Sequence, residues 1–345
     1  MSGLAVKLSV PSMMGSPRRF PAALNIICRC AANEQLVLLL VRFALTTVQD
    51  IFKHSVVTGR ILMERVYRLT ISCPDRVGIV ARVGQFFSGL GGWIVEANHY
   101  SDAATGRFFM RHCIRAESLP FEIDELRRRF AEIATEFGMD WHINDSGSAK
   151  KVILMASKGS HCLVDLLHRW HSQELMCDIP CVISNHDTLR SLVEWHGIPF
   201  FHVPVDKDNK AEHFRRVNAI VEEHKADTIV LARYMQILPP ELCARYIGQV
   251  INIHHSFLPS FVGARPYHQA ADRGVKLIGA TCHYVTQELD AGPIIDQDVI
   301  RISHNDTVDD MVRLGKDVEK MVLARGVRSH LEDRVLLHGN KTIVF

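Results

Sequence analysis

The feature that most restricts the fold is a series of short apolar segments set between helical stretches in the second half of the chain. "KVILMAS", "IPCVISN", "PFFHVPV", "DTIVLA" and "QVINIH" follow one another between residues 151 and 254. The stretches between them have helical periodicity: one begins at Ser160, two cover 189–195 and 211–224, and another precedes "QVINIH". A strand that is apolar on both sides needs cover on both faces, and regularly interposed helices supply it. The pattern predicts an α/β fold with a mainly parallel, Rossmann-like sheet. From about Leu277 the order changes. "LIGATCHYV" and "PIIDQDVIRI" read as paired strands, followed by a helix over 308–328 and a hairpin, "RVLLHGNKTIVF".

A different pattern occupies residues 66–145. "VYRLTIS" reads as a strand and "CPDRVG" as a turn. "IVARVGQFFSGLG" reads as a helix with Ile79, Val80, Val83, Phe86, Phe87 and Leu90 at helical spacing, stopped by glycines. "WIVEANHYSD" and "RFFMRHCIRA" are two alternating strands around "AATG", "FEIDELRRRFAEIATEFG" is an amphipathic helix, and "MDWHIND" closes the set. The order βαββαβ predicts a ferredoxin-like unit. Phe86, Phe87 and Leu90 are expected in its core. Asp75 stands where it can cap the first helix or bind a ligand. The expected organisation is an extension over 1–62, the ferredoxin-like unit over 64–145, a linker over 146–151 and the Rossmann-like unit over 152–345. A chain of 345 residues accommodates two such domains.

Charge and cysteine usage exclude several classes. The net charge of +2 hides an asymmetry, because residues 1–62 hold seven Lys/Arg against two Asp/Glu. The remainder is slightly acidic, unlike a nucleic-acid surface. Two readings fit the basic head. It is an Arg-rich, acid-poor transit segment, which would direct the protein to mitochondria, or it comes from an over-long start before Met63, which leaves a cytoplasmic protein. The longest apolar run, 36–41, is far shorter than the roughly 20 residues of a membrane span. Nine cysteines without a CxxC spacing fit reduced thiols better than zinc or a disulfide framework.

Three stretches have the residue types for chemistry. "SKGSHC" (157–162) is a Gly-containing turn after a strand, able to offer amides to an anion or to serve as a plain turn. It carries no nucleotide fingerprint. "NIHHSFLPSF" begins at a strand end, where parallel sheets bind ligands. Asn252 and His254 share one face of that strand, and His255 is expected to leave on the other. Adjacent histidines without an HExxH or an acid-rich partner argue against a metal. "HYVTQELDAGPIIDQ" places Asp290 at a sharp loop, either as a turn cap or as a carboxylate aimed into a cleft.

Together, "NIHHSFLPSFVG" at 252–263, "HYVTQELDAGP" at 283–293 and "YMQILPPEL" at 234–242 resemble the folate-dependent formyltransferase family, including the 38-residue separation of Asn252 and Asp290. The resemblance covers 151–345. It implies Asn252, His254 and Asp290 as catalytic residues. It also implies that Met235, Gln236, Ile237 and Leu238 form a pterin-binding loop that works mainly through its backbone. Gln236 replaces the family's usual Arg. "CPDRVGIVARV" is similar to an ACT domain. That implies an amino-acid effector at Asp75, Arg76 and Gly78, with glycine and methionine as first candidates, and edge-to-edge pairing into a homo-oligomer.

The fusion of the two units resembles the hydrolytic branch of these folate enzymes. So do His255, where the transferases usually carry Pro, and His161, where they use Asn to hold an acceptor's phosphate. This implies hydrolysis of 10-formyltetrahydrofolate to formate and tetrahydrofolate, which supplies formate for purine biosynthesis and balances one-carbon folate pools. The alternative is transfer of the formyl group to an amine. Folate is then the substrate, and no cofactor, metal, nucleic acid or membrane partner is implied. In a dry cleft Asp290 is expected to have a raised pKa and to orient or deprotonate water. Asn252 is expected to donate to the growing oxyanion, and His254 to stabilise it or to protonate the leaving nitrogen.

Overall fold

A computed structural model describes residues 64–206, 208–260 and 266–345. The expectations for residues 1–62 fall outside the described residues. The first unit consists of β1 (Val66–Pro74), α1 (Ile79–Gly89), β2 (Ile94–Asp102), β3 (Arg107–Arg115), α2 (Ile123–Phe137) and β4 (Asp140–Asp145). Its strands pair antiparallel in the order β2-β3-β1-β4. β1 alternates, burying Tyr67, Leu69, Ile71 and Cys73 in one core with Val83, Phe87, Leu126 and Phe130 of the helices. Phe86 and Leu90 pack, partly buried, against the same cluster, as their spacing implied.

Two local expectations fail here. Gly78, at φ 99, occupies the N-cap of α1, so Asp75 does not cap it. A left-handed backbone at this turn suits a residue without Cβ. β3 does not alternate in burial, because residues 108–114 are all buried. One face of β3 meets the two helices. The other meets a helix end and hairpin of the second unit, where Arg111 donates to the carbonyls of Glu332 (2.9 Å) and Asp333 (3.1 Å) and Phe109 packs edge-on against His338.

The second unit runs through β5 (Lys150–Ala156), α3 (His161–His171), β6 (Cys177–Asp178), β7 (Val182–Ser184), α4 (Arg190–Trp195) and β8 (Phe200–His202). It continues through α5 (Lys210–His224), β9 (Thr228–Leu231), α6 (Pro240–Arg245), β10 (Val250–His254) and α7 (Pro266–Arg273). β11 (Leu277–Tyr284), β12 (Ile294–Arg301), α8 (Val308–Leu331), β13 (Val335–His338) and β14 (Lys341–Val344) complete it. The sheet order is β12-β11-β10-β9-β5-β7-β8, with β6 beside β5. β5, β7, β8, β9 and β10 are mutually parallel, while β11 and β12 are antiparallel additions.

β5 shows why its run is apolar throughout. Val152 and Leu154 enter the core under α3, α4 and α8, while Ile153 and Met155 enter the opposite core under α5. α8 begins in a capping box between Thr307 and Asp310. It extends past the expected residue 328 to Leu331. Arg68 donates to the Leu331 carbonyl (3.1 Å) and Arg111 to that of Glu332, so the first unit satisfies the helix end. No helix among the described residues is long and apolar enough to cross a membrane, and the seven described cysteines are all free.

Candidate active site

A cavity of about 360 Å³ lies beyond the ends of β9 and β10, lined by residues 233–238, Asn252, His254, His255, His283 and residues 285–290. It gathers the three expected catalytic residues and the four expected pterin-loop residues in one place. β10 delivers Asn252 and His254 to the same side, as their spacing required. The loop after β11 brings in Asp290 at φ 54, a left-handed conformation that aspartate tolerates better than most residues. This loop is tightly closed. Tyr284 N donates to the Pro293 carbonyl (2.9 Å), and any side chain at Gly292 would strike the Tyr284 carbonyl.

Asp290 Oδ2 lies 3.3 Å from His254 Nδ1, and Oδ1 lies 3.8 Å from His283 Nε2. His283 was not singled out in the sequence, yet it organises the site. Its Nδ1–H donates to the Tyr284 carbonyl (2.9 Å), so Nε2 is left with the lone pair and accepts from the Asn252 amide (3.1 Å). Burial holds His283 below its ordinary pKa and keeps that ring neutral. Asn252 and His283 face each other directly across β10 and β11. One amide hydrogen of Asn252 is thereby engaged, and the other is left for the cavity.

His254 is 5% exposed, and its Nε2 is buried without a hydrogen-bond partner. Leaving such a group unpaired costs about 1–3 kcal/mol, which a fold tolerates where a ligand provides the partner. The expected rise in the Asp290 pKa does not occur. Burial does push it up, but the hydrogen bond from His254 works against burial, and the carboxyl is held below its usual range. That imidazole makes the site less hostile to a carboxylate than a dry cleft alone would be.

The formyl transferase family model matches residues 150–327. A formyltetrahydrofolate deformylase from Corynebacterium sp. (strain P-1) is 47% identical over 276 residues, which is 80% of this chain and 96% of the relative. The chain belongs to the formyltetrahydrofolate deformylase family. A deformylase crystal structure from Pseudomonas syringae pv. tomato str. DC3000 matches with TM-score 0.82 and 64% identity, covering 86% of this chain and 99% of that one. These alignments are longer than the second unit and so take in the first as well. A phosphoribosylglycinamide formyltransferase from Anaplasma phagocytophilum matches at 32% identity and TM-score 0.52, covering 57% of this chain and 95% of its own.

Of the remaining residues singled out in the sequence, some lie around this cavity and others lie away from it. Met235 N donates to Ser157 Oγ (2.9 Å), which itself donates to Asn185 Oδ1 (2.7 Å), so the "SKGSHC" turn props up the 235–238 loop. Met235 and Ile237 are each 59% exposed, whereas Leu238 is buried in the core and Gln236 is half-buried. His161 turns inward and pairs with Glu319 (2.8 Å). His161, Cys162 and Glu319 are close enough to suggest a metal site. However, Glu319 already takes hydrogen bonds from His161 and Tyr267, and burial pushes the Cys162 thiol up so that it stays protonated.

β10 ends at His254, and His255 lines both this cavity and a second one of about 520 Å³ shared with Tyr267. Asp75, Arg76 and Gly78 lie on the exposed surface of the first unit and do not line the cleft. Asp75 accepts from Ser101 Oγ, while Arg76 donates to the Glu136 carbonyl and stacks on Phe137 at 4.2 Å.

Proposed function

We propose that the chain hydrolyses 10-formyltetrahydrofolate to formate and tetrahydrofolate, with Asn252, His254 and Asp290 as its catalytic residues. The observation that carries this is the divided environment of His254. Nδ1 is held by Asp290, and Nε2 is buried and unpartnered in the cavity. The pterin lies along the 235–238 loop, gripped by its main chain and flanked by the exposed Met235 and Ile237. The free N–H of Asn252 donates to the formyl oxygen as charge gathers there, and a donor of this kind is worth about 10²- to 10³-fold in rate.

With Nδ1–H directed at Asp290, Nε2 takes a proton from the attacking water. It returns that proton to the folate nitrogen as the carbon–nitrogen bond breaks. Asp290 stabilises the transient imidazolium, a role that suits its lowered pKa better than that of a base. Folate is the substrate, and no step calls on a resident cofactor.

Residues 64–145 act as an ACT domain and 152–345 as the catalytic domain, joined by 146–151. The exposed 75–78 loop is the effector site, with glycine and methionine as the first candidates. β2, an edge strand of nine residues, offers an edge for pairing with a second copy.

The deciding assay supplies 10-formyltetrahydrofolate without any amine and follows formate. Formate release supports the reading. Product that forms only when glycinamide ribonucleotide is added would overturn it in favour of transfer. Effector binding is tested by titrating glycine and methionine into the intact chain and into Asp75→Ala. A response that survives the substitution places the effector elsewhere.

A further inference from the structure

Asn252, His254 and Asp290 account for the oxyanion and the travelling proton, but they hold the attacking water by one O–H only, through His254 Nε2. The loop after β10 supplies a group that can hold the other. It is pinned by Thr281, whose Oγ1 accepts from Leu258 N (3.0 Å) and donates to the Ser256 carbonyl (2.9 Å). Gln297 Nε2 donates to the Leu258 carbonyl (3.0 Å) and to Thr281 Oγ1 (2.9 Å). His255 is therefore placed by a fixed backbone. Its ring centroid lies 5.2 Å from that of His254 and 6.2 Å from that of Tyr267.

The polar groups behind His255 are already engaged. Glu319, 1% exposed, is held by His161 Nε2 (2.8 Å), Tyr267 Oη (2.7 Å) and Arg233 Nε (3.4 Å). Gly315 makes this possible, since any side chain there would collide with the Tyr267 hydroxyl. His255 itself makes no hydrogen bond to any described residue. Burial, reinforced by the Arg233 charge, lowers its pKa to about 4, so its ring is neutral in ordinary buffers. A neutral imidazole without a hydrogen bond to any described residue, beside His254 and lining the same cavity, has a lone pair to offer there.

We propose that His255 is a further catalytic residue, whose lone pair accepts a hydrogen bond from the water that attacks the formyl carbon. The proposal rests on the deformylase reading above. One O–H of the water donates to His255 and the other to His254 Nε2. The water oxygen bonds to the formyl carbon as the carbonyl electron pair moves to the oxygen held by Asn252. The proton given to His254 passes to the folate nitrogen as the carbon–nitrogen bond breaks. The O–H held by His255 stays with the formic acid, which ionises once released.

The test compares His255→Leu, which removes the acceptor, with His255→Asn, which restores one, using 10-formyltetrahydrofolate with and without hydroxylamine. Hydroxylamine is a stronger nucleophile that needs no water-holding group, and it yields the formyl hydroxamate. His255→Leu should lower kcat for formate about 10²-fold with KM changed less than about threefold. Hydroxamate formation should fall far less, and His255→Asn should recover at least part of the formate rate. Retained tetrahydrofolate binding confirms that both variants are folded. A His255→Leu enzyme with near-normal kcat, or equal losses of formate and hydroxamate, would overturn the proposal. Wild-type enzyme that makes no formate without an amine would instead overturn the deformylase reading itself.

Discussion

Asp290 and Asp333 have the same backbone conformation, φ 54, and similarly hidden side chains, 12% and 9% exposed. Both face nitrogen donors. Asp333 sits where the first unit meets the end of α8, with Lys150 Nζ at 2.5 Å, Asn144 Nδ2 at 2.8 Å and Arg68 at 3.5 Å. Those partners only donate, and two of them are permanently charged, so the carboxylate ties the two units together and passes nothing on. Asp290 faces imidazoles. Each imidazole has a second nitrogen, and in His254 that nitrogen is buried in a cavity without a partner. A buried carboxylate among donors that it ties together makes a joint, whereas one behind a histidine with an open second nitrogen is placed to govern a proton, as proposed for Asp290.

This contrast can be tested from both sides. Asp290→Asn should lower kcat about 10²-fold or more while leaving folate binding and unfolding free energy close to wild type. The reverse result, near-normal kcat in a less stable protein, would make Asp290 a structural turn residue like Asp333. Asp333→Ala should lower unfolding free energy by about 2 kcal/mol, roughly 30-fold in the folding equilibrium, when measured by denaturant titration. Full burial would make the loss larger, but Arg68 and Lys150 keep 18% and 23% of their side chains exposed. The kcat of the folded variant should stay within about threefold.

His283→Leu should lower kcat about tenfold, because Asn252 loses the acceptor that sets its amide, with less effect on KM. An unchanged kcat would show that Asn252 is oriented without it.

A separate effect is in the pH dependence of stability. Burial lowers His112, His255 and His330 to pKa values of about 4. Between the ordinary histidine value near 6.5 and pH 4, the unfolded chain therefore binds more protons than the folded one. Unfolding free energy should fall as pH drops through this window and level off above it. The lowered Asp290 adds a further loss only below about pH 4. His330→Gln should remove part of the slope, and a slope that does not change would assign the pH dependence to other groups.

The period of each segment made most of the fold legible, because burial on one face or two leaves a direct mark on the order of residues. The misses came where a neighbour distant in sequence changed the local rule. β3 reads as an alternating strand, but the end of α8 and the hairpin cover its second face. α8 runs to Leu331 because arginines of the first unit satisfy its last carbonyls.

Residue types and spacing by themselves determined the α/β class and the βαββαβ order, since periodicity is a local property, whereas Asn252, His254 and Asp290 were singled out together only by the resemblance to the folate-dependent formyltransferases. Only the tertiary structure decided which atom of each would work. The Asn252 amide takes its direction from His283 across the sheet, and the Asp290 pKa falls because the hydrogen bond from His254 works against burial. Among the described residues, the carboxylate that His254 pairs with lies on the Nδ1 side of the ring, and Nε2 is left open. Hydrogen-bond direction and desolvation depend on distances between segments tens of residues apart, and those distances exist only once the chain has closed on itself.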